Sequence, residues 1–175
     1  MKDVRDLFKE AMDKMIERGH VMLYVAVDVH GTIVRPSKKT VMQFADGADL
    51  PSEVVCSCGV TPEFEYYPYA QEVLRRMSDA PFVSLILWTS TQNTCDLVKE
   101  LERDGVDVDY LNQNPDFQFT SYADFSKKFY FDVLLDDKAG FEPEKDWEKL
   151  LDVDFKKFSV GNGKEEDEYD DDEDD

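Results

Sequence analysis

The chain has 175 residues, 42% of them hydrophobic, which is enough material for one domain with a substantial buried core. Its formal net charge of −20 disfavours direct binding to duplex or single-stranded nucleic acid, because such binding normally requires a positive field. The longest apolar runs, 21–27 and 85–88, are too short to cross a bilayer, and the charged first twenty residues do not resemble a signal peptide, so we predict a cytoplasmic protein without a membrane span.

The first predicted elements are a helix and a strand. Apolar residues at helical spacing over 3–18 predict an amphipathic helix that packs on the body of the protein and ends at Gly19. The next segment, 21–27, is an unbroken apolar run rich in Val. Such a run is expected in a parallel sheet whose two faces are both covered by helices. We therefore predict that 21–27 is the central strand.

Residues 33–66 form the least regular part of the chain. They contain Pro36, a possible short hairpin that turns near Asp46 and Gly47, and a β-rich stretch at 54–56. We predict a flap over the end of the first strand, because the segment is too short for an independent cap domain.

Strand and helix patterns alternate in the rest of the chain. The predicted helices cover 69–77, 93–103 and 144–151, and the predicted strands cover 82–88, 106–110 and 129–135. This order predicts an α/β fold, with a parallel sheet flanked by helices and joined by right-handed crossovers. The carboxyl ends of all the strands then lie along one edge of the sheet.

The end of the chain has a different composition. Residues 165–175 include ten acidic side chains and no basic one, so half of the net charge lies there. Such a run repels itself and has no apolar periodicity. We predict a single domain over 1–160 and a disordered acidic tail over 161–175. The tail either promotes solubility or binds a basic protein partner.

Polar side chains stand next to several of the predicted strands. They are Asp28 with Thr32, Thr89 with Ser90, Lys128, and Asp136 with Asp137. A single Asp after a strand is commonly a turn or capping residue. Several carboxylates that converge repel one another, however, and this favours a divalent metal such as Mg²⁺ at the ligand-binding edge of the sheet.

This set of residue types suits phosphoryl transfer. A carboxylate can attack phosphorus once the charge of the phosphoryl group is neutralised. The hydroxyl of Thr89 would donate to a phosphoryl oxygen, and Lys128 would supply a positive charge. We therefore expect a small phosphorylated substrate.

Four segments resemble the motifs of the haloacid dehalogenase-like (HAD) superfamily. VAVDVHGTIV around Asp28 resembles the first motif, an apolar strand followed by Asp-x-Asp-x-Thr, and LILWTS resembles the second. Lys128 in KFYFDVLLDD resembles the third motif, and the Asp pair that ends this segment resembles the fourth. The resemblance covers residues 21–141 and is closest to small capless members from bacteria and phages, which share an NxNP motif, here 112–115. It implies a Rossmann-like HAD core with a short flap.

The resemblance also implies roles for individual residues. Asp28 would be the nucleophile, Thr89 the phosphate-binding hydroxyl, and Lys128 the partner of phosphate and carboxylate. Lys127 competes with Lys128, but the register of the motif favours the latter. Thr32 and Ser90 complete the expected substrate-binding residues. The expected Mg²⁺ ligands are Asp28, Asp136, Asp137 and the backbone carbonyl of His30.

One position departs from the family pattern. The second Asp of the first motif, which is the general acid and base of the family, is His30 in this chain. An imidazole can do acid and base work near neutral pH. Alternatively, the enzyme is slow, it forms an aspartyl-phosphate without efficient turnover, or the site only binds a ligand.

We therefore expect a Mg²⁺-dependent phosphomonoester hydrolase that acts through an aspartyl-phosphate. Its substrate would be a small metabolite, a nucleotide or the end of a polynucleotide. The alternative is a catalytically weak or inactive HAD-fold protein that engages a partner through its acidic tail.

Two weaker patterns have simpler interpretations. Cys56, Cys58 and Cys95 are too few for a closed four-ligand zinc site, so we expect reduced, scattered thiols. A cluster of aromatic residues follows the flap and is expected to pack in the core, with stacking on a nucleobase as the alternative. The cluster comprises Phe64, Tyr66, Tyr67 and Tyr69.

Overall fold

A computed structural model describes residues 2–37, 64–90, 94–117, 124–125 and 128–157, without the side chains of 94–96. Several predictions lie outside the described residues. These are the interior of the flap, the three cysteine side chains, Lys127 and the acidic tail. Within the described residues, no helix is long and apolar enough to cross a membrane.

The described residues form helices and strands in the predicted order. The helices are α1 (Val4–Glu17), α2 (Ala70–Ser78), α3 (Thr94–Arg103) and α4 (Pro143–Leu150). The strands are β1 (Leu23–Asp28), β2 (Val34–Pro36), β3 (Phe64–Tyr66), β4 (Val83–Trp88), β5 (Tyr110–Leu111) and β6 (Val133–Leu135). Short 3-10 helices cover Asp137–Ala139 and Phe155–Lys157.

Four strands make a parallel sheet in the order β5-β4-β1-β6. This confirms the α/β class, the parallel sheet and the internal position of β1, and the arrangement is compatible with a Rossmann-like fold. β2 and β3 form a separate antiparallel pair in which Val34 lies opposite Tyr66. This pair was not predicted, and it ties together the two ends of the segment interpreted as a flap.

All four helices share a hydrophobic core with one face of the sheet. Each contributes a buried side chain to the core cluster that contains Val25 and Leu85; these side chains are Phe8, Leu74, Leu101 and Trp147. The connections from β1 to β4 and from β4 to β5 advance in the same direction across the sheet. Right-handed crossovers in one direction place their helices on one face.

The opposite face is covered differently. Tyr24, Ala26 and Ile86 are buried there under partly buried side chains, most of them aromatic. The connection from β5 to β6 crosses back over the sheet, so the handedness rule places it on this second face. Its described parts contain no helix, and Phe117, Phe129 and other aromatic residues provide the cover where a helix was expected.

The two edge strands begin later than predicted, because a carboxylate takes the place of a backbone acceptor at each edge. The side chain of Asp109 accepts from the amide of Leu85 at 2.7 Å, and that of Asp132 accepts from the amide of Tyr24 at 3.0 Å. The adjacent strands thus keep their hydrogen bonds although regular pairing has not yet begun.

Candidate functional site

Three carboxylates converge at the carboxyl edge of the parallel sheet. Asp28 ends β1, while Asp136 and Asp137 follow β6 directly. One carboxylate oxygen from each residue lies within 4.8 Å of those of the other two. Asp28 and Asp136 are partly buried, and Asp137 is exposed. β1 and β6 are paired neighbours, so the parallel sheet itself brings these distant positions together.

Local hydrogen bonds shape the turn after β6. Asp136 has an extended backbone, and its side chain accepts from the amide of Lys138 at 2.7 Å, which caps the 3-10 helix. The amide of Asp137 donates to the hydroxyl of Thr32 at 3.0 Å. The acidic pair is therefore held by a cap on one side and by the loop after β1 on the other.

Thr32 connects the two acidic loops. Its hydroxyl lies 3.4 Å from a carboxylate oxygen of Asp28, and its carbonyl accepts from the indole of Trp147 at 2.8 Å. The residue has no exposed surface. Thr32 was predicted to bind substrate, and in the structure its contacts position the two acidic loops.

Gly31 allows the two loops to approach closely. Its φ is +89°, a conformation that favours glycine, and a Cβ at this position would lie 3.0 Å from a carboxylate oxygen of Asp137. The glycine of the DVHGT segment is therefore required by the packing of the first acidic loop against the second.

The electrostatics of the site favour a cation. Burial raises the pKa of Asp28, and the nearby carboxylates of Asp136 and Asp137 raise it further. The ammonium of Lys138 lies 3.4 Å from Asp137, and this carboxylate raises the pKa of Lys138. Lys138 was not predicted as a site residue, although its position directly after the acidic pair was a signal available in the sequence.

Lys128, the predicted cation of the site, is exposed. Within the described residues, no ion pair joins it to the three carboxylates, and the positive charge beside them belongs to Lys138. The structure therefore brings together Asp28, Asp136 and Asp137 but does not bring Lys128 to them.

His30 lies in the same loop as Asp28. Its ring packs edge-on against Phe64 of β3, with 4.9 Å between the ring centroids. It also forms an isolated β-bridge with Val34, and the amide of Gly31 donates to the carbonyl of Val34 at 2.8 Å. The β2–β3 pair therefore supports the loop that carries His30.

The residues after β4 are held by an asparagine. Thr89 is buried and Ser90 is exposed. The side-chain amide of Asn112 accepts from the backbone amide of Thr89 at 2.8 Å and donates to its carbonyl at 2.7 Å. Asn112 has a φ of +52°, which asparagine tolerates well. The first Asn of the NxNP motif thus positions Thr89, a role that the sequence did not reveal.

The donor set fits Mg²⁺, which takes carboxylate and water oxygens in a compact octahedron. Asp28, Asp136 and Asp137 could each supply one oxygen, and a bound cation would offset the repulsion among them. Comparisons with models of known protein families, with curated proteins and with solved structures gave no match to this chain.

Proposed function

We propose that this chain is a HAD-type, Mg²⁺-dependent phosphomonoester hydrolase that acts on a small phosphorylated substrate. The observation that carries the proposal is the convergence of Asp28 with Asp136 and Asp137 within 4.8 Å. This cluster lies at the carboxyl edge of a parallel sheet, where open α/β proteins bind their ligands. The motif order read from the sequence supports the same assignment.

Asp28 is the nucleophile in this proposal. One of its carboxylate oxygens attacks phosphorus, the bond from phosphorus to the ester oxygen breaks, and the leaving alkoxide takes a proton from the imidazolium of His30. Water then attacks the phosphorus of the aspartyl-phosphate and gives a proton to His30. Inorganic phosphate leaves, and the Asp28 carboxylate is regenerated.

Mg²⁺ would be held by Asp28, Asp136, Asp137 and the backbone carbonyl of His30, and it would neutralise phosphoryl charge when bound. Thr32 and Gly31 keep the two acidic loops together. Thr89 and Ser90 are the proposed phosphate-binding hydroxyl residues, and Asn112 orients the backbone of Thr89. The ammonium of Lys138 lies beside Asp137 and would neutralise part of the negative charge of the site.

The proposal is tested with p-nitrophenyl phosphate and purified protein. Hydrolysis is expected with Mg²⁺ and is expected to disappear with EDTA. Asp28→Asn should lower kcat by at least about a thousandfold, because it removes the nucleophile. Asp107→Asn, which changes an exposed carboxylate on the segment before β5, is the matched control and should keep full activity. Equal rates for the two variants would refute the mechanism.

His30→Asp tests the departure from the family pattern. A rise in turnover would mean that the imidazole is a weak acid and base in this site. A loss of turnover in His30→Asp would mean that the site is adapted to the imidazole of His30. No hydrolysis of any mononucleotide, sugar or polynucleotide phosphate by the wild-type protein would favour the alternative, a ligand-binding protein of this fold.

A further inference from the structure

Three aromatic residues cluster beside the acidic site, and we call them the aromatic rim: Trp88, Phe129 and Phe131. The ring of Trp88 lies 5.3 Å from that of Phe129 and 5.7 Å from that of Phe131, and the two Phe rings are 5.9 Å apart. All three side chains are only partly buried. Their contacts are tilted or edge-on, so the rings do not stack on one another.

The rim lies on the same face of the sheet as Asp28, and its Trp88 lies at the same edge. Asp28 and Trp88 are register partners on the adjacent strands β1 and β4. Side chains alternate along a strand, so Asp28 projects on the face that buries Tyr24 and Ala26. Trp88 packs on that face too, and adjacent strands are about 4.8 Å apart.

We propose that the aromatic rim binds the base of a nucleoside monophosphate whose phosphate is held at Asp28. This inference rests on the proposed hydrolase function and specifies its substrate class. A phosphate ester attacked by Asp28 must direct its leaving group away from the carboxylates, and the rim offers an apolar surface one strand away. A purine or pyrimidine has a planar face that stacks on an aromatic ring.

The negative charge of the protein disfavours a polynucleotide more strongly than a mononucleotide. A net charge of −20 repels a chain of phosphates, whereas a single phosphate escorted by a cation can approach the site. Core packing alone would also place aromatic residues on this face. It predicts no preference for an aromatic leaving group, however, and this difference makes the proposal testable.

Binding can be measured without turnover by titrating adenosine, which has no phosphate to lose. The chain has two Trp residues, and Trp147 has no exposed surface, so a ligand at the rim should change mainly the fluorescence of Trp88. A saturable change is expected with adenosine and none with glycerol. Trp88→Phe should abolish it. No saturable change, or one that survives in Trp88→Phe, would overturn the proposal.

Kinetics supply the second test. Phe129→Leu and Trp88→Leu should lower kcat/KM for adenosine monophosphate about fivefold or more, and lower that for glycerol phosphate much less. Phe117→Leu is the matched control, because Phe117 lies on the same face but stacks on Tyr130 and contacts Tyr24 near the start of β1. It should affect both substrates equally.

The outcomes separate the two proposals. An equal loss for both substrates in the rim variants would reduce the rim to packing and overturn the subsite, while the hydrolase stands. No hydrolysis of these two esters or of p-nitrophenyl phosphate, together with a saturable change of Trp88 fluorescence on addition of adenosine, would refute the hydrolase and support the subsite.

Discussion

Thr32 is a small residue on which the geometry of the acidic site depends. Its hydroxyl donates to the carboxylate of Asp28 and accepts a hydrogen bond from the amide of Asp137. Its carbonyl accepts a hydrogen bond from the indole N–H of Trp147. Because the residue has no exposed surface, water has little access to replace these contacts. A single side chain therefore links β1, the turn after β6, and α4.

Thr32→Val keeps the shape of the side chain but removes the hydroxyl. The amide of Asp137 loses its acceptor, and we expect the free energy of unfolding to fall by about 1–3 kcal/mol. Thr32→Ser keeps the hydroxyl, so its free energy of unfolding should fall less than that of Thr32→Val. Urea denaturation of the two variants measures the difference. Equal stability of Thr32→Val and the wild-type protein would mean that the hydrogen bond between Thr32 and the amide of Asp137 contributes nothing to stability.

Asp28 makes stability depend on pH. Burial and the neighbouring carboxylates raise the pKa of Asp28 above its ordinary value of 3.8. Its protonated form therefore favours the folded state, and that contribution is complete below pH 3.8 and is lost as the pH rises through the folded-state pKa. Asp28→Asn removes the charge, so in EDTA at pH 7 we expect a higher Tm than for wild type.

The gain in Tm should shrink as the pH is lowered towards the ordinary pKa of the carboxyl group. Thermal melts followed by circular dichroism across this range measure it. A variant that is less stable than wild type at pH 7 in EDTA would contradict the electrostatic account.

Lys138 and Lys128 can be distinguished by the same substitution at each position. Lys138→Met removes the ammonium next to Asp137, and we expect kcat/KM to fall by about tenfold to a hundredfold. The Mg²⁺ concentration needed for half activity should fall as well, because a competing positive charge is gone. A purely structural loss would not tighten Mg²⁺ binding. A larger loss of activity in Lys128→Met would instead support the role implied by the motif.

At the scale of elements, the sheet is extended by side chains. Asp109 and Asp132 each accept a backbone hydrogen bond from the strand beside them, just before β5 and β6 begin. Asp132 also accepts a hydrogen bond from the hydroxyl of Tyr130 at 2.5 Å. Asp132 is partly buried, whereas Asp109 is exposed. The two carboxylates therefore make the same kind of hydrogen bond to an adjacent strand, but they differ in their exposure to water.

This difference predicts an order of stability. Asp132→Ala leaves the amide of Tyr24 without its acceptor, and we expect a loss of about 1–3 kcal/mol. Asp109→Ala should cost less, because water can reach the amide that it exposes. Asp107→Ala, at an exposed position of the same segment, is the control and should change stability by less than about 0.5 kcal/mol. Chemical denaturation gives the ranking, and a reversed order would contradict it.

At the scale of the whole molecule, the sheet has two unlike faces. Four helices cover one face, and a layer of partly buried aromatic side chains covers the other. The proposed nucleophile projects on the second face, next to the aromatic rim. The fold therefore sets a carboxylate cluster beside an apolar surface, in a protein with a net charge of −20.

Metal binding should stabilise the entire fold. At a Mg²⁺ concentration of about 100 times Kd, the expected gain is about 2.7 kcal/mol, which raises Tm by about 5–10 °C for a chain of this size. Any salt screens a strongly acidic protein, so NaCl at matched ionic strength is the control. Asp137→Asn should lose most of the Mg²⁺ effect. The same rise with NaCl as with Mg²⁺ would exclude a specific site.

The amino-acid sequence determined the order and type of the main elements. Apolar periodicity located α1, β1, β4 and α4 to within about two residues at most ends, because long amphipathic or unbroken apolar patterns allow few alternatives. Parallel strands with right-handed crossovers then required Asp28 and the pair after β6 to share an edge. The meeting of the three carboxylates was thus foreseeable from the sequence.

Only the tertiary structure decided which side chains reach that edge. Loop paths and side-chain directions bring Lys138 close to Asp137 and bury Thr32. They also place Asn112 where it accepts a hydrogen bond from the amide of Thr89. The cover of the second face by aromatic residues depends on how the β5–β6 connection crosses the sheet. Spacing along a chain encodes the period of an element, whereas such contacts form between segments that pack through space.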